Sequence, residues 1–103
     1  MVFIGGGAVS VELAQAFNRL GLKTAISTRG RLLKYEEEVA SRFVEEVLRE
    51  EGVEVIHDEA VAVRRVDGGV GVVGREGSRA RGEALFIAIV RRPNSETARS
   101  SWS

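Results

Sequence analysis

VFIGGGAVSVELAQAFNRLG, residues 2–21, is the stretch whose reading decides the fold. Three apolar residues, Val2, Phe3 and Ile4, make a short buried strand that stops at Gly5, Gly6 and Gly7. A helical pattern starts at once. Val9, Leu13, Ala16, Phe17 and Leu20 recur at the spacing of one helix face, which predicts a helix over 8–20 with those residues buried. Gly21 stands just past the end, where a helix stops on a residue that tolerates positive φ.

The same grammar continues outward. KTAIST, residues 23–28, alternates and is β-branched, so it reads as a second strand, and Arg29-Gly30-Arg31 as a loop. Residues 36–51 read as an amphipathic helix, with Val39, Phe43, Val47 and Ala40, Val44, Leu48 as its buried rows and Glu36–Glu38 near its positive end. Gly52 closes it, and 53–56 is a third strand. Then the pattern changes. Short segments at 60–66, 70–73 and about 78–82 are separated by Asp67-Gly68-Gly69 and by residues 74–77, and Asp-Gly between apolar runs marks a hairpin. LFIAIV, residues 85–90, is an unbroken apolar run suited to a central strand buried on both faces. The expected fold is α/β: a Rossmann-like βαβαβ parallel sheet, an antiparallel three-stranded β-meander and a final parallel strand.

Composition bounds the chemistry. The chain has 103 residues, sized for one domain, with 15 acidic and 15 basic side chains. That balance gives no field for nucleic acid. It has no cysteine and one histidine, His57, which excludes disulfides and thiolate or multi-histidine metal sites within it. No run has the length of a membrane span, and the opening residues do not form a signal peptide. A cytoplasmic, soluble protein with no membrane or nucleic-acid partner is the expectation. His57-Asp58-Glu59 is read as a solvated loop, and no metal site is expected.

The glycines have a more specific meaning. In a dinucleotide-binding turn the first glycine allows the bend, the second lets backbone approach a pyrophosphate, and the third lets helix and strand pack closely. Gly5 and Gly7 fill the first two roles, and Ser10, small but not glycine, takes the third. The turn follows a strand and opens a helix, as the motif requires. A carboxylate about 20 residues further on would accept a hydrogen bond from a free ribose 2′-hydroxyl. Ser27-Thr28-Arg29-Gly30-Arg31 offers hydroxyls and guanidinium groups instead, which suit a 2′-phosphate. NADPH is expected ahead of NADH.

These residues resemble a known family. GGGAVSVELAQAFNRLGLKTAIS, VLREEGVEV and LFIAIVRRPN, in that order, look like the central NAD(P)H-binding domain of the flavoprotein (pyridine nucleotide-) disulfide reductases, nearest their mercuric reductase and dihydrolipoamide dehydrogenase members. The resemblance implies a meander in place of the third crossover. It implies that Gly5, Gly6 and Gly7, with Ala8, Val9 and Ser10, bind the pyrophosphate, and that Glu12 lies near the nicotinamide carboxamide. Arg29 would take the 2′-phosphate, with Thr28 and Arg31 beside it, and Val61 would lie by the adenine. Residues 1–94 form the domain on this reading, and 95–103 a polar tail. FAD and the redox cysteines belong to other parts of a full-length relative, so this chain is expected to bind a dinucleotide without catalysing electron transfer alone. Where the family carries Ala-Thr-Gly, the chain has Ala88-Ile89-Val90. With Ser10, this departure motivates the alternative: a degenerate structural module that has lost its ligand and self-associates through surface its neighbours would cover.

Overall fold

The computed structural model describes residues 1–33 and 36–87. The expected strand at 85–90 therefore falls partly outside the described residues, as do Val90 and the tail. Its elements run β1 (Val2–Ile4), α1 (Ala8–Arg19), β2 (Ala25–Thr28), α2 (Glu38–Glu50), β3 (Glu54–His57), β4 (Ala60–Val66), β5 (Gly69–Gly74), β6 (Arg79–Gly82) and β7 (Leu85–Ile87). Four strands form a parallel sheet in the order β3-β2-β1-β7, and the other three an antiparallel sheet in the order β4-β5-β6. The α/β reading, with its meander and closing parallel strand, holds.

Register explains the two cores. Phe86, Phe3, Ile26 and Val55 are direct partners across the four parallel strands. Because side chains alternate along a strand, this row shares one face. It meets Val11 and Ala14 of α1 and Leu48 of α2, and the Phe3 ring lies 5.5 Å from Phe86 and 6.3 Å from Phe17. The neighbouring rows face the other way: Val2 and Ala25 pack with Val72 and Ala80 of the meander. Helices thus cover one side of the sheet and a second sheet covers the other.

Both helices stop in the same manner. Leu22 N–H reaches back to Phe17 O and Val53 N–H to Leu48 O, around Gly21 and Gly52. Glu51 then ties the two ends together, accepting from Gln15 at 3.2 Å and from Arg19 at 3.0 Å. The β4–β5 turn carries positive φ at Asp67 and Gly68, the mirror-image geometry that matches strand twist.

Three expectations need correction. The buried face of α1 is Ser10, Val11 and Ala14, with Leu13 and Phe17 half-buried, while Val9, Ala16 and Leu20 are exposed. Small residues bring the helix close to the strands, and the larger apolar ones are left outside. In α2, Ser41 and Leu48 are buried and Val44 and Val47 half-buried, but Val39 is 80% exposed, Phe43 64%, and Ala40 exposed as well. Ser41 turns inward because its hydroxyl donates to the carbonyl of Leu32. Finally, the described part of β7 pairs with β1 alone, at the end of the sheet, with Ile87 exposed. It is an edge strand, not a central one.

Candidate functional site

The C-terminal ends of β1 and β2 open onto a cleft of about 560 Å³. A parallel sheet covered by helices gathers its loops there, outside the carboxyl ends of the strands. Gly5 makes the bend possible with φ of 107°. Gly6 lies so close to β2 that an added Cβ would sit 2.7 Å from Thr28 Oγ1 and 2.9 Å from Leu32 Cδ2. Gly7 is the N-cap of α1, extended and without a side chain to cap it. The first bond into the helix runs from Val11 N–H to Gly7 O at 3.0 Å. The amides of Ala8, Val9 and Ser10 therefore have no carbonyl within the helix to bond, and they sit at the positive end of its dipole. That combination suits an anion.

The cleft brings together most of the residues expected from the sequence. Gly5, Gly6, Gly7, Ala8, Thr28, Arg29 and Arg31 line it. Val9 is exposed in the first turn of α1, and Glu12 is exposed further along; neither side chain lines the cleft. Ser10 is fully buried beneath the turn, and its Oγ has no hydrogen-bond partner among the described residues. Val61 is the additional residue where the β4–β5 register shifts between Ala60 and Ala62. It is half exposed and lies outside the lining, although Glu59 and Ala60 just before it form part of the wall.

The hydroxyls at the end of β2 are committed internally. Ser27 Oγ donates to Asp58 O and Thr28 Oγ1 to Gly30 O, each at 3.0 Å. This leaves the guanidinium groups as the charged donors of this loop. Arg29 is exposed, and Arg31 Nη2 donates to the carbonyl of Glu36 at 2.6 Å. Two acidic residues, Glu36 and Glu59, also line the cleft. Glu59 is held by Arg75 at 3.0 Å. Sequence reading missed Ile4, Gly30, Leu33, Glu36, Glu59 and Ala60 as lining residues. For Glu59 and Ala60 the signal was available: they follow β3, whose C-terminal end opens at the same side of the sheet.

His57-Asp58-Glu59 is not the solvated loop expected. Asp58 is buried, and its carboxylate accepts from Ser78 Oγ at 2.6 Å and from the backbone N–H groups of Glu76 and Ser78. The Ser78 hydroxyl, ahead of the opposing burial and with the backbone amides, holds the Asp58 carboxyl below the usual range. Asp58 therefore pins the β5–β6 turn to the end of β3. No cluster of three or more metal-ligating side chains occurs among the described residues. None of the described helices is long and apolar enough to cross a membrane.

The profile of the pyridine nucleotide-disulphide oxidoreductase family matches residues 1–102. Mercuric reductase of Streptomyces lividans is 38% identical over 96 residues, covering 89% of this chain and 20% of that protein. Dihydrolipoyl dehydrogenase of Bacillus subtilis is 45% identical over 56 residues, covering 53% of this chain and 12% of that protein. The chain thus spans a fifth or less of the length of these relatives. The water-forming NADH oxidase of Lactobacillus brevis, solved with NADH, shares the fold with a TM-score of 0.82 at 19% identity, over 96% of this chain and 22% of that one. With this match along nearly its whole length, the chain belongs to the pyridine nucleotide-disulphide oxidoreductase family.

Proposed function

We propose that the chain binds a pyridine dinucleotide in the cleft above the glycine turn, with NADPH preferred to NADH. The observation that carries this reading is the uncapped N-terminus of α1, whose first amides open beside a turn that Gly6 packs against β2. The pyrophosphate would lie over Gly5–Ala8, and Arg29 and Arg31 would meet the 2′-phosphate. Glu12 and Val61, both outside the cleft lining, would contact the ligand only where it extends past the cleft. Bound there, the nicotinamide supplies two-electron redox chemistry, while the protein holds and orients it. This chain contributes no thiol, since it has no cysteine, and no flavin site is proposed for it. On this reading its own part is to bind and orient the dinucleotide. Calorimetric titration tests this: saturable heat with NADPH and weaker binding of NADH are expected, and no heat from either at millimolar ligand overturns it.

A second reading has its own observation. Val39 and Phe43, one helical turn apart on α2, are both exposed, which suits a module that self-associates through this face. Light scattering over a concentration series tests it, and a monomer at every concentration rejects it.

A further inference from the structure

His57 ends β3 with two acceptors around its ring. Nε2 lies 2.9 and 3.0 Å from the carboxylate oxygens of Glu45 on α2. Nδ1 lies 3.2 Å from the carbonyl oxygen of Gly30. A neutral imidazole has one N–H and one lone pair, so it can satisfy only one of these and turns its lone pair on the other. The imidazolium donates to both. Gly30 is the centre of the Arg29-Gly30-Arg31 loop that lines the cleft, and Thr28 Oγ1 donates to the same carbonyl. That carbonyl is thus where the loop is tied to the sheet.

Charged groups face the ring from several neighbouring elements. On α2, Glu45 faces it and also binds Arg49 at 2.8 Å, whose Nη2 continues to Val55 O. Burial pushes the Glu45 carboxyl up, but the hydrogen bonds from His57 and Arg49 outweigh it and hold the group ionised. On the loop, Arg29 and Arg31 flank the acceptor. Along the chain, Asp58 is committed to Glu76 and Ser78, and Glu59 to Arg75. On β2, the register partner of His57 is the uncharged Thr28.

We propose that protonated His57 is a positioning residue for the cleft, holding the Arg29–Gly30–Arg31 loop in place by donating to Gly30 and Glu45 together. Losing the proton, which imidazoles do between about pH 5 and 8, leaves one N–H for two acceptors; committed to the Glu45 carboxylate, it no longer holds the Gly30 carbonyl, and the loop loosens. The effect on ligand binding deepens the dinucleotide reading and rests on it; the loop hold itself does not.

Two measurements decide it. In the free 103-residue chain, the Gly30 and Arg31 amide resonances should titrate with the midpoint of the His57 ring. That step should vanish in His57→Gln. Resonances at Gly30 that stay flat while the ring titrates overturn the proposal. Next, the NADPH dissociation constants of wild type and His57→Gln are compared from pH 5.5 to 8.5, the ratio cancelling the ligand's own phosphate titration near pH ~6. The variant should bind about fivefold more weakly at the acid end, converging on wild type at the basic end. A ratio independent of pH overturns the coupling to the ligand. If neither protein binds NADPH, the dinucleotide reading fails, and the amide titration still decides the loop hold.

Discussion

The amide of Leu33 donates to the carbonyl of Gly6 across 2.7 Å, joining the loop after β2 to the turn after β1. On the other side of the same glycine, Thr28 and Leu32 occupy the space where a side chain would begin. The middle glycine of the three is therefore a spacer between two walls of the cleft.

Gly6→Ala should lower stability by about 1–3 kcal/mol, the range for overpacking a filled site, because Thr28 and Leu32 must move. Urea unfolding measures this. A loss of a few tenths of a kcal/mol would show that the walls yield easily.

Ser10→Ala should raise stability by about 1 kcal/mol. It removes a buried hydroxyl that has no partner and places a better helix former in α1. Thermal unfolding checks it, and a lower midpoint would mean that the hydroxyl is satisfied in solution.

Phe43→Ala and Leu48→Ala, five residues apart on α2, should separate sharply. The exposed Phe43 should cost no more than about 0.5 kcal/mol, whereas truncating Leu48, fully enclosed, should cost about 2–5 kcal/mol. Similar losses at both positions would place Phe43 in a buried contact.

Acid should weaken the fold through Asp58. Its folded carboxyl lies below the ordinary value of 3.8, so its contribution is present in full above that value and is lost as pH falls through the folded one. Glu45 and Glu51, held low by their partners, act in the same direction. Asp58→Asn should be less stable than wild type at neutral pH, with the gap narrowing below about pH 4. Urea midpoints from pH 7 to 3 test this, and a constant gap would remove Asp58 from the acid response.

Arg29→Ala should weaken NADPH about tenfold, equivalent to ~1.4 kcal/mol, and leave NADH nearly unchanged. Calorimetry with both ligands is the measurement. Equal losses would remove the 2′-phosphate from the role of Arg29.

Much of this architecture is legible from residue types. Glycines at the end of an apolar run, glycines closing two helices, and Asp67-Gly68 between strands are local signals, and each marks its element within a few residues. The helix faces are not, because hydrophobicity alone favours large residues. Ser10 and Ala14 are buried where close approach to the sheet matters more than apolar area, and Ser41 where Leu32 supplies an acceptor. Asp58 looked solvated because its partners are mostly backbone amides brought from about 18–20 residues away, and amides leave no mark in a sequence. The walls of the cleft followed from topology once the strand order was known. Ser27 shows where such reading stops: its type suits phosphate, yet its hydroxyl bonds Asp58.

The pairing of Val2 with Leu85 also bears on how the chain acquires its fold. β1 precedes the meander in the chain, yet one of its edges is completed by the last described strand. The contacts that close the sheet span most of the sequence, and such closures are slow because loop entropy is lost before the contacts form. Until Leu85–Ile87 arrives, a short apolar strand presents unpaired amides and carbonyls, a template for another chain. How far the chain extends past the meander thus governs when the inner edge of β1 is covered.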